Sequence, residues 1–235
     1  MRTLKVLTFL IIPILCSLFC SGQEIKNDTL FLLRQYSADD FHIIYIDNNK
    51  TSKEYGLIAD FDFNRQDSIN YLYWIEYLKK NNKNPFKKHT VTDIPKKWCP
   101  LYIYKSKFYL LTPTDFGGNL GCVEITDSTW IVYGGEGPTP GRINSFQKTD
   151  NNTYNINITP YDSFQYDLKI SIIDKEKGIA LFGKVLMISA DKIKLFPIIV
   201  DNSGTKQIYP EGMHPIKFEE PNKERLKKLL IKSEW

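Results

Sequence analysis

The sequence predicts a protein built mainly of β-strands, an antiparallel meander that forms a barrel or a sandwich. Short runs rich in β-branched and aromatic residues recur along the chain, separated by polar or glycine-containing turns. In one run Leu168, Ile170 and Ile172 alternate with polar residues, which is the period of a half-buried strand. We therefore expect an all-β fold with one or two accessory helices.

The strands are expected at residues 41–47, 55–63, 101–104, 108–111 and 153–159, followed by several more between 164 and 200. The polar sequence between 101–104 and 108–111 is short enough for a hairpin turn. Gly178 provides the positive φ that a tight turn requires. Pro197 lacks an amide hydrogen, so its strand is expected at a sheet edge or a bulge.

Two segments have a helical pattern instead. Residues 67–80 begin with the capping candidates Asp67 and Ser68, carry apolar residues at helical spacing and end in two lysines. In residues 221–232, Pro221 suits a first helical turn and three leucines form a narrow apolar stripe.

The first 22 residues have the pattern of a signal peptide. Arg2 and Lys5 precede an apolar run over residues 6–19. This run is shorter than the roughly 20 residues that a helix needs to cross a membrane. Small residues favour cleavage after Gly22. The predicted organisation is a signal peptide at 1–22 and one β-rich domain at 23–235, exported to the periplasm, cell surface or medium. Abundant Lys, Asn and Ile suit a bacterial chain from an AT-rich genome.

Two alternatives keep the protein at a membrane. Cys20 could carry a lipid, although the bulky Phe19 before it is unusual at such a site, or the leader could remain uncleaved as an anchor. We expect membrane contact only if the leader is retained or Cys20 is lipidated.

The charge pattern argues against nucleic acid as a partner. The net charge of +4 falls by the two charges of Arg2 and Lys5 when the leader is removed. Lysine greatly outnumbers arginine, the residue that planar recognition of phosphate and bases favours.

Cys99 and Cys122 are the cysteines of the predicted mature chain. In an oxidising compartment they could form a disulfide worth roughly 3 kcal/mol, or they could remain as buried free thiols. Neither belongs to a Cys-x-x-Cys pair, so the usual signal of a zinc site is absent. No other metal or cofactor is expected either, because the loop that begins at Asp60 has Arg65 where a calcium loop needs glycine, and no nucleotide-binding motif is complete.

The glycine- and proline-rich stretch at 133–142 is not a phosphate cradle. Glu136 stands where a phosphate loop needs glycine, and Pro138 and Pro140 lack the amide donors that such a loop requires. We expect a turn or an exposed loop.

Aromatic residues supply the candidate binding site. On an exported β scaffold they can form platforms for sugar rings or pockets for apolar ligands, although any single one can equally belong to the core. The candidates are Trp98, Tyr102, Tyr104, Trp130 and Tyr133.

The expected function is therefore a non-catalytic exported or surface-associated protein that binds carbohydrate or a small apolar ligand. Two alternatives stay open at this point. One is a hydrolase on a β scaffold that uses scattered groups such as His89, Asp115, Glu124 or Glu136. The other is a structural envelope component whose aromatic residues are only core. The sequence leaves the oligomeric state open.

The leader prediction is checked by the intact mass of the exported product. We expect a chain that starts at Gln23, because Gly22 offers the small side chain that signal peptidases accept. A mass that corresponds to a lipidated Cys20, or to the uncleaved chain, would contradict this prediction.

Overall fold

A computed structural model describes residues 25–26, 29–36, 41–81, 86–91, 93–112, 119–161, 164–203 and 216–232. The predicted signal peptide with Cys20, and Asp115 of the hydrolase alternative, lie outside these residues.

The chain alternates a few helices with many strands. The helices are α1 (Glu54–Ile58), α2 (Arg65–Asn81) and α3 (Lys223–Lys232), with a 3₁₀ helix at Ala190–Leu195. The strands are β1 (Ile25–Lys26), β2 (Thr29–Tyr36), β3 (Phe41–Asp47), β4 (Lys97–Pro100), β5 (Tyr102–Tyr104), β6 (Lys107–Thr112), β7 (Val123–Ile125), β8 (Thr129–Gly134), β9 (Gly137–Asp150), β10 (Thr153–Pro160), β11 (Tyr166–Asp174), β12 (Ile179–Phe182), β13 (Val185–Ser189) and β14 (Ile198–Ser203).

The predicted β-dominated fold is confirmed, and the architecture includes a closed barrel. Strands β7 to β13 follow one another as an antiparallel meander, and β4 closes the barrel between β13 and β7. Eight strands leave an interior just wide enough for side chains to fill. Buried residues such as Trp98, Trp130, Ile156 and Phe182 fill it.

A second sheet packs against the barrel, with the strand order β1-β2-β3-β14-β6-β5. Its pairs are antiparallel except β14 with β6. Strand β14 lies between β3 and β6, so the expectation that Pro197 marks an edge strand is wrong. Pro197 precedes the first residue of β14, where no ladder hydrogen bond is lost.

The layer between barrel and sheet is a continuous apolar core. Ile131 and Leu186 point outward from barrel strands and meet Phe108, Leu110 and Ile198 from the sheet. This packing is the result of strand alternation, since each strand presents successive side chains to opposite faces.

Helix α1 also enters this layer, and here the prediction of a strand over 55–63 is wrong. Tyr55 and Ile58 are both 2 % exposed, and the Tyr55 hydroxyl donates a 2.6 Å hydrogen bond to the Phe196 carbonyl. A helical turn brings these two residues to one side, whereas a strand would point them to opposite faces.

The helix predicted at 67–80 is confirmed as α2, which packs along β9. The predicted caps are wrong, because α2 begins at Arg65, and Asp67 and Ser68 lie inside its first turn. Asn64 is the cap, and its side-chain oxygen accepts a 2.9 Å hydrogen bond from the Asp67 amide.

The glycine- and proline-rich stretch forms the end of β8, a two-residue turn at 135–136 and the start of β9. Residues 137–140 pair only with β8, because pairing with β10 begins at Gly141. Pro138 and Pro140 therefore sit where a missing amide hydrogen does no harm.

The helix predicted at 221–232 is confirmed as α3, whose Leu226 and Leu230 are buried in the layer between barrel and sheet. It begins at Lys223, so Pro221 lies before the helix and not in its first turn, and the Asn222 side chain accepts a 3.0 Å hydrogen bond from the Glu224 amide. None of the helices in the described part of the chain is long and apolar enough to cross a membrane.

We expect the protein to lose stability at alkaline pH. Burial, with a smaller contribution from Asp47, raises the pKa of Tyr55 to about 12, and burial raises the pKa of Tyr133 as well. Because the folded state holds these protons more tightly than the unfolded chain, their contribution is complete below the unfolded pKa of about 10 and is lost as pH rises toward the folded value.

Urea unfolding at about pH 8 and at about pH 11 measures this loss. A Tyr55→Phe variant should be about 1–3 kcal/mol less stable at the lower pH, because the Phe196 carbonyl loses its donor. It should also lose less stability than the wild type between the two pH values. An unfolding midpoint that stays constant over this range would contradict the prediction.

Candidate functional site

A cavity of about 150 Å³ opens at one end of the barrel. Alternate hairpin turns of a meander lie at the same end, so the β9–β10 and β11–β12 turns meet there together with the segment before β4. The cavity is lined by Asp93, Pro95, Trp98, Lys148, Asn151, Asn152, Tyr154, Ile172, Lys175 and Gly178.

Local hydrogen bonds shape both turns. The Asp150 carboxylate accepts a 2.8 Å hydrogen bond from the Asn152 amide, and the Asp174 carboxylate accepts one of 2.9 Å from the Lys177 amide. Gly178 has a φ of +68°, as its turn position predicts. A side chain there would also collide with Ser189, because an added Cβ would lie 2.9 Å from the Ser189 hydroxyl.

Aromatic and aliphatic carbon forms the floor of the cavity. Trp98 is 1 % exposed and its indole nitrogen donates a 2.7 Å hydrogen bond to the Pro95 carbonyl. The indole therefore offers a ligand only carbon atoms. Its ring packs on Phe182 with 5.1 Å between centroids, which fixes its position.

The rim is polar and carries positive charge. The Lys148 ammonium lies 2.7 Å from the Asp93 carboxylate, and this hydrogen bond raises the pKa of Lys148. The same ammonium lies 5.8 Å from the centroid of the Tyr154 ring. Lys175, Asn151 and Asn152 are exposed around the opening. The site thus combines a carbon floor with amide, ammonium and carboxylate groups.

A second, more open groove of about 270 Å³ lies between β5, β13 and the segment at 218–221. Tyr102 lines it and packs against Phe218 with 4.8 Å between ring centroids. Val185 on the opposite wall is 54 % exposed.

The structure does not bring the five predicted aromatic residues together. Trp98 closes the cavity floor, whereas Trp130 lies inside the barrel against Phe182, with 5.8 Å between centroids. Tyr102 and Tyr104 lie on the β5–β6 hairpin, Tyr102 at the groove and Tyr104 beside Tyr109.

Tyr133, the fifth of these residues, belongs to the layer between barrel and sheet. It is 2 % exposed, and its hydroxyl donates to the Phe61 carbonyl at 3.0 Å. Its position is that of a core residue with a satisfied hydroxyl.

Cys99 and Cys122 lie side by side as free buried thiols. The β4–β7 register pairs Trp98 with Val123, so the two cysteines follow directly opposite each other. Both sulfurs approach the Ile58 carbonyl, Cys99 at 3.6 Å and Cys122 at 3.2 Å. A hydrogen bond with Cys99 and burial raise the pKa of Cys122 far above its usual range. Opposed residues on adjacent strands are close enough for a disulfide, which remains a prediction.

The described members of the hydrolase alternative lie apart. The imidazole Nε2 of His89 is 3.2 Å from the Ile143 carbonyl, and Glu124 accepts a 3.2 Å hydrogen bond from Tyr133. Glu136 lies in the β8–β9 turn, at the barrel end opposite to the cavity.

A histidine–carboxylate contact occurs elsewhere, on the second sheet. His42 Nε2 lies 2.7 Å from the Asp201 carboxylate, and both residues are buried. Neither residue lines the cavity or the groove. Within the described ranges, no group of three or more His, Cys, Asp or Glu side chains is arranged to hold a metal ion.

The sequence analysis did not identify the polar residues of the cavity, which are Asp93, Lys148, Asn151, Asn152, Tyr154 and Lys175. The signal for two of them was present, since Lys148 and Lys175 lie close to turns that a meander places at one end. Comparison of the chain with protein-family models, curated proteins and solved structures finds no match, so function is inferred from its own residues.

The burial of the two thiols is checked with Ellman's reagent at about pH 8. In the folded, reduced protein we expect neither Cys99 nor Cys122 to react, because both are buried and the pKa of Cys122 is raised. Both should react after unfolding. If the exported protein carries the predicted disulfide, the unfolded sample will show no thiol until a reductant is added. Rapid labelling of the folded protein would contradict the burial.

Proposed function

We propose that this chain is an exported, non-catalytic binding protein whose ligand is a carbohydrate, bound one sugar ring at a time in the cavity at the end of the barrel. The observation that carries this proposal is the combination of a carbon floor formed around Trp98 with a rim of amide, hydroxyl and charged groups.

The size of the cavity suits a single ring. A cavity of about 150 Å³ is the size of an engineered cavity that accepts benzene, whereas sites for larger molecules run from about 300 to 1,000 Å³. A terminal sugar, or one unit of a chain that continues into solvent, is the carbohydrate of matching size.

The chemistry of the lining favours a sugar over a purely apolar ligand. A sugar ring has carbon-bound hydrogens on its faces and hydroxyls at its edges, so it can contact the floor and the rim at once. An apolar ligand would remove water from the exposed Lys148, Asn152 and Lys175 without replacing their hydrogen bonds, which costs free energy for each group.

The number of carboxylates in the cavity supports binding over hydrolysis. Most glycoside hydrolases use a pair of carboxyl groups on the two sides of the scissile bond. Among the described residues that line the cavity the only carboxylate is Asp93, and it is already paired with Lys148. This arrangement leaves the lining without a second acid for that reaction.

Saccharide binding is measured by saturation-transfer NMR on a panel of monosaccharides and methyl glycosides, followed by calorimetry on those that bind. Two variants change the rim: Tyr154→Phe removes one hydroxyl and Lys175→Ala removes one exposed ammonium. Each should weaken binding by about three- to tenfold, the effect of one lost hydrogen bond of about 0.5–1.5 kcal/mol.

Lys184→Ala is the matched control, because Lys184 is an exposed lysine that lines the groove instead of the cavity. Binding that weakens in this control and not in the rim variants would move the site to the groove. Hydrolysis products in the same spectra would favour the enzyme, and no saturable binding to any saccharide would contradict the proposal.

A further inference from the structure

Helix α2 carries apolar side chains on both of its sides. One side packs along the barrel, where Leu78 is buried. On the other side large apolar residues face solvent: Ile69 is 52 % exposed, Leu72 61 %, Tyr73 62 % and Tyr77 43 %. Large apolar residues that lie together on a solvent-facing side mark a contact surface, so we expect this exposed α2 face (Ile69, Leu72, Tyr73 and Tyr77) to contact another molecule.

The face has a basic residue at each end. Arg65, Ile69, Tyr73 and Tyr77 follow each other at four-residue spacing, which places them in one row along the helix. Lys80, three residues after Tyr77, continues the row at the carboxyl end. The apolar strip is thus bounded by the exposed cations Arg65 and Lys80.

The charge on the exposed side of α2 is positive. Its exposed charged residues are Arg65, Glu76, Lys79 and Lys80, and the one carboxylate among them, Glu76, lies 2.7 Å from the Lys79 ammonium. Asp67 is half-buried and accepts a hydrogen bond from the Asn64 amide, and with its charge included α2 still carries three cations against two carboxylates. The face therefore suits an anionic surface.

We propose that the exposed α2 face docks on the surface of a lipid bilayer that carries anionic head groups. Tyrosine is enriched at membrane interfaces, and isoleucine and leucine supply the apolar area that enters the boundary between head groups and acyl chains. Arg65 and Lys80 at the two ends would lie level with the lipid phosphates, where each cation strengthens attraction to an anionic leaflet.

A second copy of the chain is the other occupant to consider for this face. A parallel pair of α2 helices places each cation beside its own counterpart, which is unfavourable. Tyr73 is the midpoint of α2, so an antiparallel pair centred there places Lys80 of one copy beside the first turn of the other, which contains both Arg65 and Asp67. The antiparallel pair is therefore the arrangement that a measurement of oligomeric state has to test.

This contact differs from the membrane routes that the sequence predicts. It requires neither a retained leader nor a lipid on Cys20, and it uses folded residues on the barrel side of the molecule. It is also separate from the proposed carbohydrate site, since none of the residues of the exposed α2 face lines the cavity.

Vesicle co-sedimentation tests the proposal. The exported protein is mixed with vesicles of phosphatidylglycerol and phosphatidylethanolamine, and in parallel with vesicles of phosphatidylcholine alone. Every variant keeps the N-terminus of the wild type, so any contribution of the leader is the same in all samples. We expect the wild type to bind the anionic vesicles more tightly, with an affinity that falls as salt is added.

Two double variants change the face. Leu72→Ser with Tyr73→Ser removes apolar area, and Arg65→Glu with Lys80→Glu reverses the two terminal charges. Each should weaken partitioning onto the anionic vesicles by about tenfold or more. The matched controls are Leu195→Ser and Lys194→Glu, which change an exposed apolar residue and an exposed lysine of the 3₁₀ helix. These controls should bind as the wild type does.

Circular dichroism and cooperative urea unfolding of each variant establish that it is folded. Wild-type protein that stays in solution with anionic vesicles would overturn the proposal, as would α2 variants that bind them normally. Analytical ultracentrifugation adds a third check. A wild-type dimer that Leu72→Ser with Tyr73→Ser converts to a monomer would assign the face to a second copy and overturn the membrane proposal.

Discussion

The pairing of β4 on both of its sides is the constraint on which the rest of the structure depends. Its Trp98 is opposite Ser189 of β13 on one side and Val123 of β7 on the other, which closes the barrel. One residue separates the end of β4 from β5, so the same segment leads directly into the second sheet. A shift of its register by one residue would exchange the inward Trp98 with the outward Cys99, and both cores would lose their packing.

Closure of the barrel also decides where a ligand can bind. Aromatic and aliphatic side chains fill its interior, so only the ends and the outer surface can receive another molecule. At one end Trp98 is held by Pro95 and Phe182 and forms a rigid floor, while the turns above it supply polar groups. A rigid floor with a polar rim lets a small ligand bind with little ordering of the protein, which preserves affinity.

The proposed membrane contact at the α2 face and the proposed sugar site in the cavity lie on different parts of one scaffold. The cavity is concave, ring-sized and polar at its opening, whereas the α2 face is convex, apolar along its middle and basic at its ends. A binding protein held at an anionic leaflet through α2 would have its sugar site on a separate element of the barrel. The buried Cys99 and Cys122 belong to neither site, because their position between barrel and α1 is closed to solvent.

Periodicity in the sequence determined the elements whose pattern is local. Residue spacing and local composition predict the strand at 41–47, the hairpin around Lys105 and Ser106 and the helices α2 and α3. Tertiary packing decided the rest, since α1 replaces the strand predicted at 55–63 and Pro197 precedes an inner strand.

The site divides in the same way. The sequence identifies Trp98 as a candidate, because an aromatic residue is recognised from the sequence without knowledge of the fold. Asp93, Lys148 and Lys175 come together only when the barrel closes. The alternation of apolar and polar residues in a strand shows that its two faces differ, but it does not determine which face is exposed to solvent. That choice follows from the register of β4 and from the layers that cover each face, which only the tertiary structure sets.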